Sequence, residues 1–301
     1  MRLAGGVALI PDADRKRHAE FFAAHQSEDG GFSGRDVRSD LYYTAFALRG
    51  LVLLGELDDS VAHRAAEFLR QQLRGDASLI DLISLVFGAR LLESSAGIEL
   101  LEEFPPQWTQ KLADTFENLR REDGGYAKTF EGRASSTYQT FLIALTYQLM
   151  GLPLPEPERA CQFVLDQHRE DGGFVEIRVM RRSGNNPTAA AIGTLRVLGQ
   201  HHIDASLRDA VADFLLDSVT DEGGLRANTQ IPIADLLSTF TGLQTATDLG
   251  VIDAFDVANC LLYAASLQEK SGGFRAAAWD DVADVEYSFY GLGVLGLLLS
   301  A

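Results

Sequence analysis

Three arginines, Arg178, Arg181 and Arg182, lie just before Gly184-Asn185-Asn186 and form the densest basic cluster of an acidic chain. Guanidinium groups are planar, permanently charged and matched to bidentate anions. Such a cluster beside a helix start suits a diphosphate or carboxylate head group. The competing reading is that these side chains pair with surface acids. A second set is aromatic: Tyr42, Phe46, Tyr138, Phe240, Tyr287 and Tyr290. Taken singly, each reads as core filling. Together they suit the lining of a cavity for a hydrocarbon chain, whose burial is worth ~0.8 kcal/mol per methylene. Their ring faces would also stabilise a carbocation by ~0.5–2 kcal/mol each. Cys161 and Cys260 cannot form a disulfide scaffold or a four-cysteine zinc site, and no P-loop, dinucleotide fingerprint or Ser-His-Asp elbow is present.

The composition bounds the function. The 301 residues include 43 acidic against 26 basic side chains, a net charge of −17. With no basic excess to displace counterions, nucleic acid and anionic membrane surfaces are disfavoured as partners. The longest apolar stretch, Tyr290 to Ala301, is 12 residues, short of the ~20 that span a bilayer. The brief apolar run near Met1 has no clear small-residue cleavage site, so the expectation is a cytoplasmic protein without a membrane span.

These side chains need elements to hold them, and an internal repeat supplies the elements. A Gly-Gly pair followed by a large apolar residue recurs at Gly30-Gly31-Phe32, Gly124-Gly125-Tyr126, Gly172-Gly173-Phe174, Gly223-Gly224-Leu225 and Gly272-Gly273-Phe274. The first glycines are separated by 94, 48, 51 and 49 residues. The long interval holds a degenerate copy around Arg74-Gly75-Asp76, which makes six units and fills residues 1–301 as one domain. Each unit reads as a helical hairpin. In the fourth, Pro155-Glu156-Pro157 opens an amphipathic helix with Cys161, Val164 and Leu165 on one face, and Asp171-Gly172-Gly173 stops it. Asn186-Pro187 then starts a helix that is apolar nearly all round and ends at Gly199. The prolines fall at boundaries or loops and no stretch alternates with period two, so the chain is all-α. A helix apolar on every side must be enclosed. The last unit ends in such a helix, from Gly291 to Leu299, where an open solenoid would carry a polar cap. Closure into an (α/α)6 barrel, or toroid, of six helical hairpin repeats is the expected architecture.

His25-Gln26-Ser27-Glu28-Asp29-Gly30-Gly31-Phe32, with its counterparts Asp166 to Phe174 and Leu267 to Phe274, resembles the repeat of the protein prenyltransferase β subunit and the squalene/terpene cyclase β domain. The resemblance covers the whole chain and implies a toroid with a central cavity for an isoprenoid, either a prenyl diphosphate or a polyprene. It also implies a zinc ion held by an Asp-x-Cys and a later His, but these positions read Asp235-Leu236-Leu237 and Asp284-Val285-Glu286-Tyr287. Leucine cannot coordinate zinc and tyrosine stands where histidine would be. Zinc is therefore not expected, although magnesium is compatible with a diphosphate. In eukaryotic relatives a helical partner subunit binds the β subunit. This sequence shows no surface for one.

In class II terpene cyclases an Asp-x-Asp-Asp acid protonates an alkene, and the comparable turn here carries Asp284 and Glu286. The chemistry needs a carboxylic acid kept protonated by an apolar wall and a like-charged neighbour. Asp40, Ser136, Asn186, Asp235 and Asp284, however, occupy one slot before the apolar helix in five units, and all are N-cap types. Asp284 thus also reads as a cap and Glu286 as a first-turn acid that favours the helix dipole. Three functions follow: a metal-independent terpene cyclase or prenyltransferase-like enzyme, a non-catalytic binding or scaffold protein that lost the site, and a carbohydrate-active (α/α)6 barrel. Elemental analysis of the purified protein is expected to find no stoichiometric zinc; one zinc per chain would show that these ligand positions are misassigned.

Overall fold

The computed structural model describes residues 2–72, 78–200 and 203–300. In chain order its helices are α1 (Arg2–Val7), α2 (Asp12–Ala24), α3 (Leu41–Leu54), α4 (Asp59–Gln72), α5 (Leu79–Ala96), α6 (Trp108–Glu117), α7 (Thr137–Leu149), α8 (Pro157–Leu165), α9 (Asn185–Val197), α10 (Ala205–Asp217), α11 (Leu236–Leu249), α12 (Val257–Ser266) and α13 (Val285–Leu299). From α2 onward they alternate as six hairpins, the second helix of each the more apolar. The degenerate turn around Arg74-Gly75-Asp76 lies outside the described residues. The extended structure among the described residues is limited to two-residue pairs and single bridges in the hairpin loops, such as Phe274-Arg275 against Ala283-Asp284.

The chain divides into two compact units, residues 1–105 with 260–301, and residues 106–259. In the first, the apolar helices α13, α3 and α5 pack side by side, and α1 lies against α13. The sequence left the neighbour of the last apolar helix undefined. Here it is flanked by α1 and α3, and helix and helix approach so closely that a Cβ on Gly6 would meet the Gly296 carbonyl oxygen. In the second unit α7, α9 and α11 form the corresponding row.

Each Gly-Gly turn is held in the same way. The backbone N–H after the pair donates to a hydroxyl on the fourth residue of the next apolar helix: Phe32 to Thr44 at 2.9 Å, Tyr126 to Thr140 at 3.0 Å, Phe174 to Thr188, Leu225 to Thr239 and Phe274 to Ser288, all at 2.9 Å. Each threonine hydroxyl in turn donates to the carbonyl of the cap four residues back.

Two expectations for the fourth hairpin need correction. The amphipathic helix ends at Leu165, so Gly172 is not its terminator, and Leu165 faces solvent while Ala160, Cys161, Phe163 and Val164 are buried. Gly172 instead sits at φ +89° in a turn closed by its own N–H to Arg169 and by Arg169 N–H to the Gly173 carbonyl, against the backbone of α10. Asn186 is not a cap. The cap is Gly184, 12 residues after the first glycine as in the later units, and Asn186 lies inside α9, where its Oδ1 accepts from Thr241.

The first glycine of a turn is constrained twice. At Gly272, φ is +98° and a Cβ would lie 2.3 Å from the Arg17 carbonyl oxygen on α2. At Gly55, which ends α3 with φ +71°, nothing lies within 4 Å. Gly272→Ala is expected to destabilise the protein by roughly 2–5 kcal/mol from backbone strain plus steric overlap. Gly55→Ala is expected to cost only about 1 kcal/mol. Thermal melts of the two variants check the difference.

Candidate functional site

The first unit brings together Arg35, Tyr42, Phe46, Asp280, Asp284, Glu286, Tyr287 and Tyr290. Asp284 is fixed by the short strand pair that sets Ala283-Asp284 against Phe274-Arg275. It is 1% exposed and caps α13, its Oδ1 accepting from Tyr287 N at 2.8 Å. Its Oδ2 accepts from Arg35 Nε at 2.7 Å. Arg35 comes from the loop before α3, 249 residues away in sequence, and its other nitrogens reach the buried carboxylate of Asp280. The arginine therefore bridges two acids of the last hairpin. Burial alone would push the Asp280 carboxyl up, but Arg35 and the backbone N–H groups of Val282 and Ala276 hold it below the usual carboxylate range. Donation to both carboxylates, Asp280 first, pushes the guanidinium pKa above its ordinary value.

Glu286 lies two residues further on, in the first turn of α13, and has different surroundings. Tyr42 Oη, from the first turn of α3, donates to Glu286 Oε1 at 2.7 Å, and Tyr290 Oη is 3.4 Å from the same oxygen. Both phenols thus address Oε1. Burial, reinforced by the neighbouring Asp284 charge, pushes the Glu286 carboxyl above the usual range against the lowering effect of the tyrosines and Arg35.

An aromatic wall stands beside this carboxyl. Phe46 makes edge contacts with Tyr42 at 5.0 Å, Tyr290 at 5.4 Å and Phe289 at 5.6 Å, while Tyr287 meets Tyr290 at 5.9 Å. Arg49 on α3 stacks over the rings of Phe87, 4.4 Å from the centroid, and Phe46 at 5.1 Å. Of the aromatics named from sequence, Tyr42, Phe46, Tyr287 and Tyr290 gather here. Tyr138 and Phe240 belong to the second unit, on α7 and α11, with Tyr138 41% exposed.

Arg178, Arg181 and Arg182 also belong to the second unit and are exposed on the loop before α9. Arg178 and Arg181 border a shallow surface cleft with Asp166, Glu170 and Asp171. The residue that shapes this loop is Arg169, whose guanidinium donates to the carbonyls of Asp166, His168, Arg178 and Met180. Sequence reasoning missed Arg35 and the Tyr42–Glu286 bond because nothing local joins residues so far apart. The signal that was available, an arginine five residues before the Asp40 cap, has no counterpart at that offset in the later units.

The residues at the zinc positions do not fit zinc. Asp235 uses Oδ1 on Ser238 N at 2.7 Å and Oδ2 on Ser238 Oγ at 2.8 Å, and Leu237 offers no donor. Among the described residues no group of His, Cys, Asp and Glu side chains is arranged to hold a metal ion.

The prenyltransferase alpha-alpha toroid domain model matches residues 3–84 and 91–301. The chain belongs to this family. Its fold is accordingly the all-α toroid, built from the hairpins described above. Among solved structures, it is similar to Candida albicans protein geranylgeranyltransferase-I complexed with GGPP, with a TM-score of 0.71 and 16% identity over 94% of this chain and 90% of that one. It is also similar to the type II terpene cyclase MstE from Scytonema, at 0.63 and 13% over 98% of both chains. The GH76A alpha-1,6-mannanase from Salegentibacter sp. matches at 0.62 and 12%, covering 95% of this chain and 98% of that one. At these identities the likeness establishes the fold alone. No curated protein matches the sequence.

The Arg35 bridge has a measurable consequence. Removing the guanidinium leaves two nearly buried carboxylates facing each other. Arg35→Gln is expected to cost roughly 1–3 kcal/mol, less than the ~3–5 of a fully buried pair because the arginine is partly exposed. Asp280 is held below its unfolded range, so this stabilisation is present above the usual carboxylate pKa and is lost as pH falls through the lowered one. The gap in melting temperature between wild type and variant should therefore be widest near neutral pH and shrink in acid.

Proposed function

We propose that this protein is an isoprenoid-handling toroid that acts on a polyprene as a metal-independent cyclase, with Glu286 as the proton donor. The observation that carries the reading is the setting of the Glu286 carboxyl: half-buried beside the aromatic wall, hydrogen-bonded at Oε1 by Tyr42, with Tyr290 at 3.4 Å, and pushed up in pKa. A carboxyl raised above its usual range keeps its proton to higher pH and delivers it to a weakly basic carbon. The proton leaves Oε2 as the π electrons of a trisubstituted alkene form the new C–H bond, and the adjacent carbon becomes a tertiary cation. Ring closure by a second alkene and final loss of a proton return the charge to neutral, with no oxidant or reductant consumed. Glu286 recovers its proton from water.

The other residues have supporting roles. Asp284, ion-paired with Arg35, supplies the negative neighbour that discourages ionisation of Glu286. The rings of Phe46, Tyr42 and Tyr290 offer faces to the developing cation. The structural neighbours solved with GGPP and with geranylgeranyl dihydroxybenzoate support an isoprenoid as the ligand class.

Incubation with geranylgeranyl diphosphate and with a neutral polyprene, followed by mass spectrometry, should give a product isomeric with the substrate and unaffected by chelators. Glu286→Gln should lower turnover by at least about 100-fold, the range expected for a general acid, with substrate binding retained. Turnover should fall as pH rises through the raised pKa of Glu286, because the reactive form is protonated. Unchanged turnover in Glu286→Gln removes the acid role, and absence of both binding and product removes the isoprenoid reading.

A further inference from the structure

The first glycine of each described Gly-Gly turn lies against the backbone of the first helix of a neighbouring hairpin. A Cβ on Gly30, Gly124, Gly172, Gly223 or Gly272 would meet the carbonyl oxygen of Arg64, Arg159, Ala210, Asn259 or Arg17, respectively. The residue that follows each of those carbonyls stands at the seam between two hairpins. At four seams it is Ala65, Ala160, Val211 or Cys260, none more than 2% exposed. At the fifth, where the last hairpin meets the first, it is His18 at 1%. An imidazole, the side chain whose charge changes nearest neutral pH, stands where the other seams hold an aliphatic group or a thiol.

The surroundings of His18 suit the neutral ring. Its Nδ1 lies 2.5 Å from the Gly272 carbonyl oxygen. A carbonyl only accepts, so Nδ1 carries the proton and Nε2 of the neutral ring carries none. The ring stacks on Phe274, with 5.4 Å between centroids and 17° between planes. Asp14 and Arg17 of its own helix act on it in opposite senses. In the facing turn Glu269 is paired with Arg275 at 2.8 Å, and Lys270 is exposed. Helix α3, packed on α2, carries Arg49 as its one charge, stacked over Phe87 and Phe46. Burial lowers the pKa of the ring, and the bond to Gly272 offsets this only in part. The same turn sets the last hairpin: Phe274-Arg275 pairs with Ala283-Asp284, and Phe274 N donates to Ser288 Oγ.

We infer that the seam between the last Gly-Gly turn and α2 is an acid-sensitive latch, held shut by the neutral His18 ring and loosened when that ring takes a second proton. The segments released are α2 and residues 269–275, and the placement of Asp284 depends on the latter. Because the closed seam disfavours the imidazolium, the opened state binds more protons below the usual histidine range. The latch is therefore at full strength above that range and weakens as pH falls through it toward the lowered pKa. It stands on the packing of α2, whatever the role of Glu286.

Amide hydrogen exchange of the full chain, corrected for the intrinsic pH dependence of exchange, tests the latch from about pH 7.5 to about pH 5. The opening constant of α2 and residues 269–275 should rise by up to about tenfold per pH unit, the limit for one proton. The seam of Gly124 against Arg159 and Ala160 is the internal control and should not respond. His18→Asn keeps a donor toward Gly272 but cannot become charged, and His18→Ala copies the seams of Ala65 and Ala160. Both should make exchange at the last seam independent of pH over this window. Both leave every carboxylate in place, so a pH response that survives in either variant overturns the inference. So does a wild-type seam that responds no more than the control.

Discussion

A hydroxyl on the fourth residue of the apolar helices α3, α7, α9, α11 and α13 holds each Gly-Gly turn to the helix it precedes, and the candidate site is assembled on that clamp. Thr44, Thr140, Thr188, Thr239 and Ser288 each accept the backbone N–H that follows the glycine pair. The bond fixes the loop so that its last residue reaches the cap position and the helix starts at a defined point. In the last hairpin that point is Asp284. Everything chemical about the site is measured from there, because Glu286, Tyr287 and Tyr290 project from the first turns of α13. A turn that slipped by one residue would move Asp284 off Arg35 and Glu286 off Tyr42 together.

The site joins two acids two residues apart in different surroundings. Asp284 accepts hydrogen bonds from the Arg35 guanidinium and from a backbone N–H. At Glu286 burial and the negative charge of Asp284 raise the carboxyl pKa against the hydrogen bonds from Tyr42 and Tyr290. A fold that hosts prenyl transfer, terpene cyclisation and mannan hydrolysis cannot choose among them by its helices. The choice lies in a few side chains at the helix starts.

The sequence alone determined the hairpin count, the all-α class and the caps Asp40, Ser136, Asp235 and Asp284, because glycine spacing, helix periodicity and capping chemistry are local and repeat. It also placed Glu286 and the aromatics of α3 and α13 among the candidates. It misplaced the fourth cap onto Asn186, since a glycine cap leaves no side chain to read, and it took Gly172 for a helix stop when the turn needs it for close approach to α10. Arg35 could not be found from the sequence at all. Its contacts lie 245 and 249 residues away, and only the packing of the first hairpin against the last brings a guanidinium to Asp280 and Asp284 and a phenol to Glu286. Pairings of that range depend on where backbones meet in space, which no local pattern of residue types records.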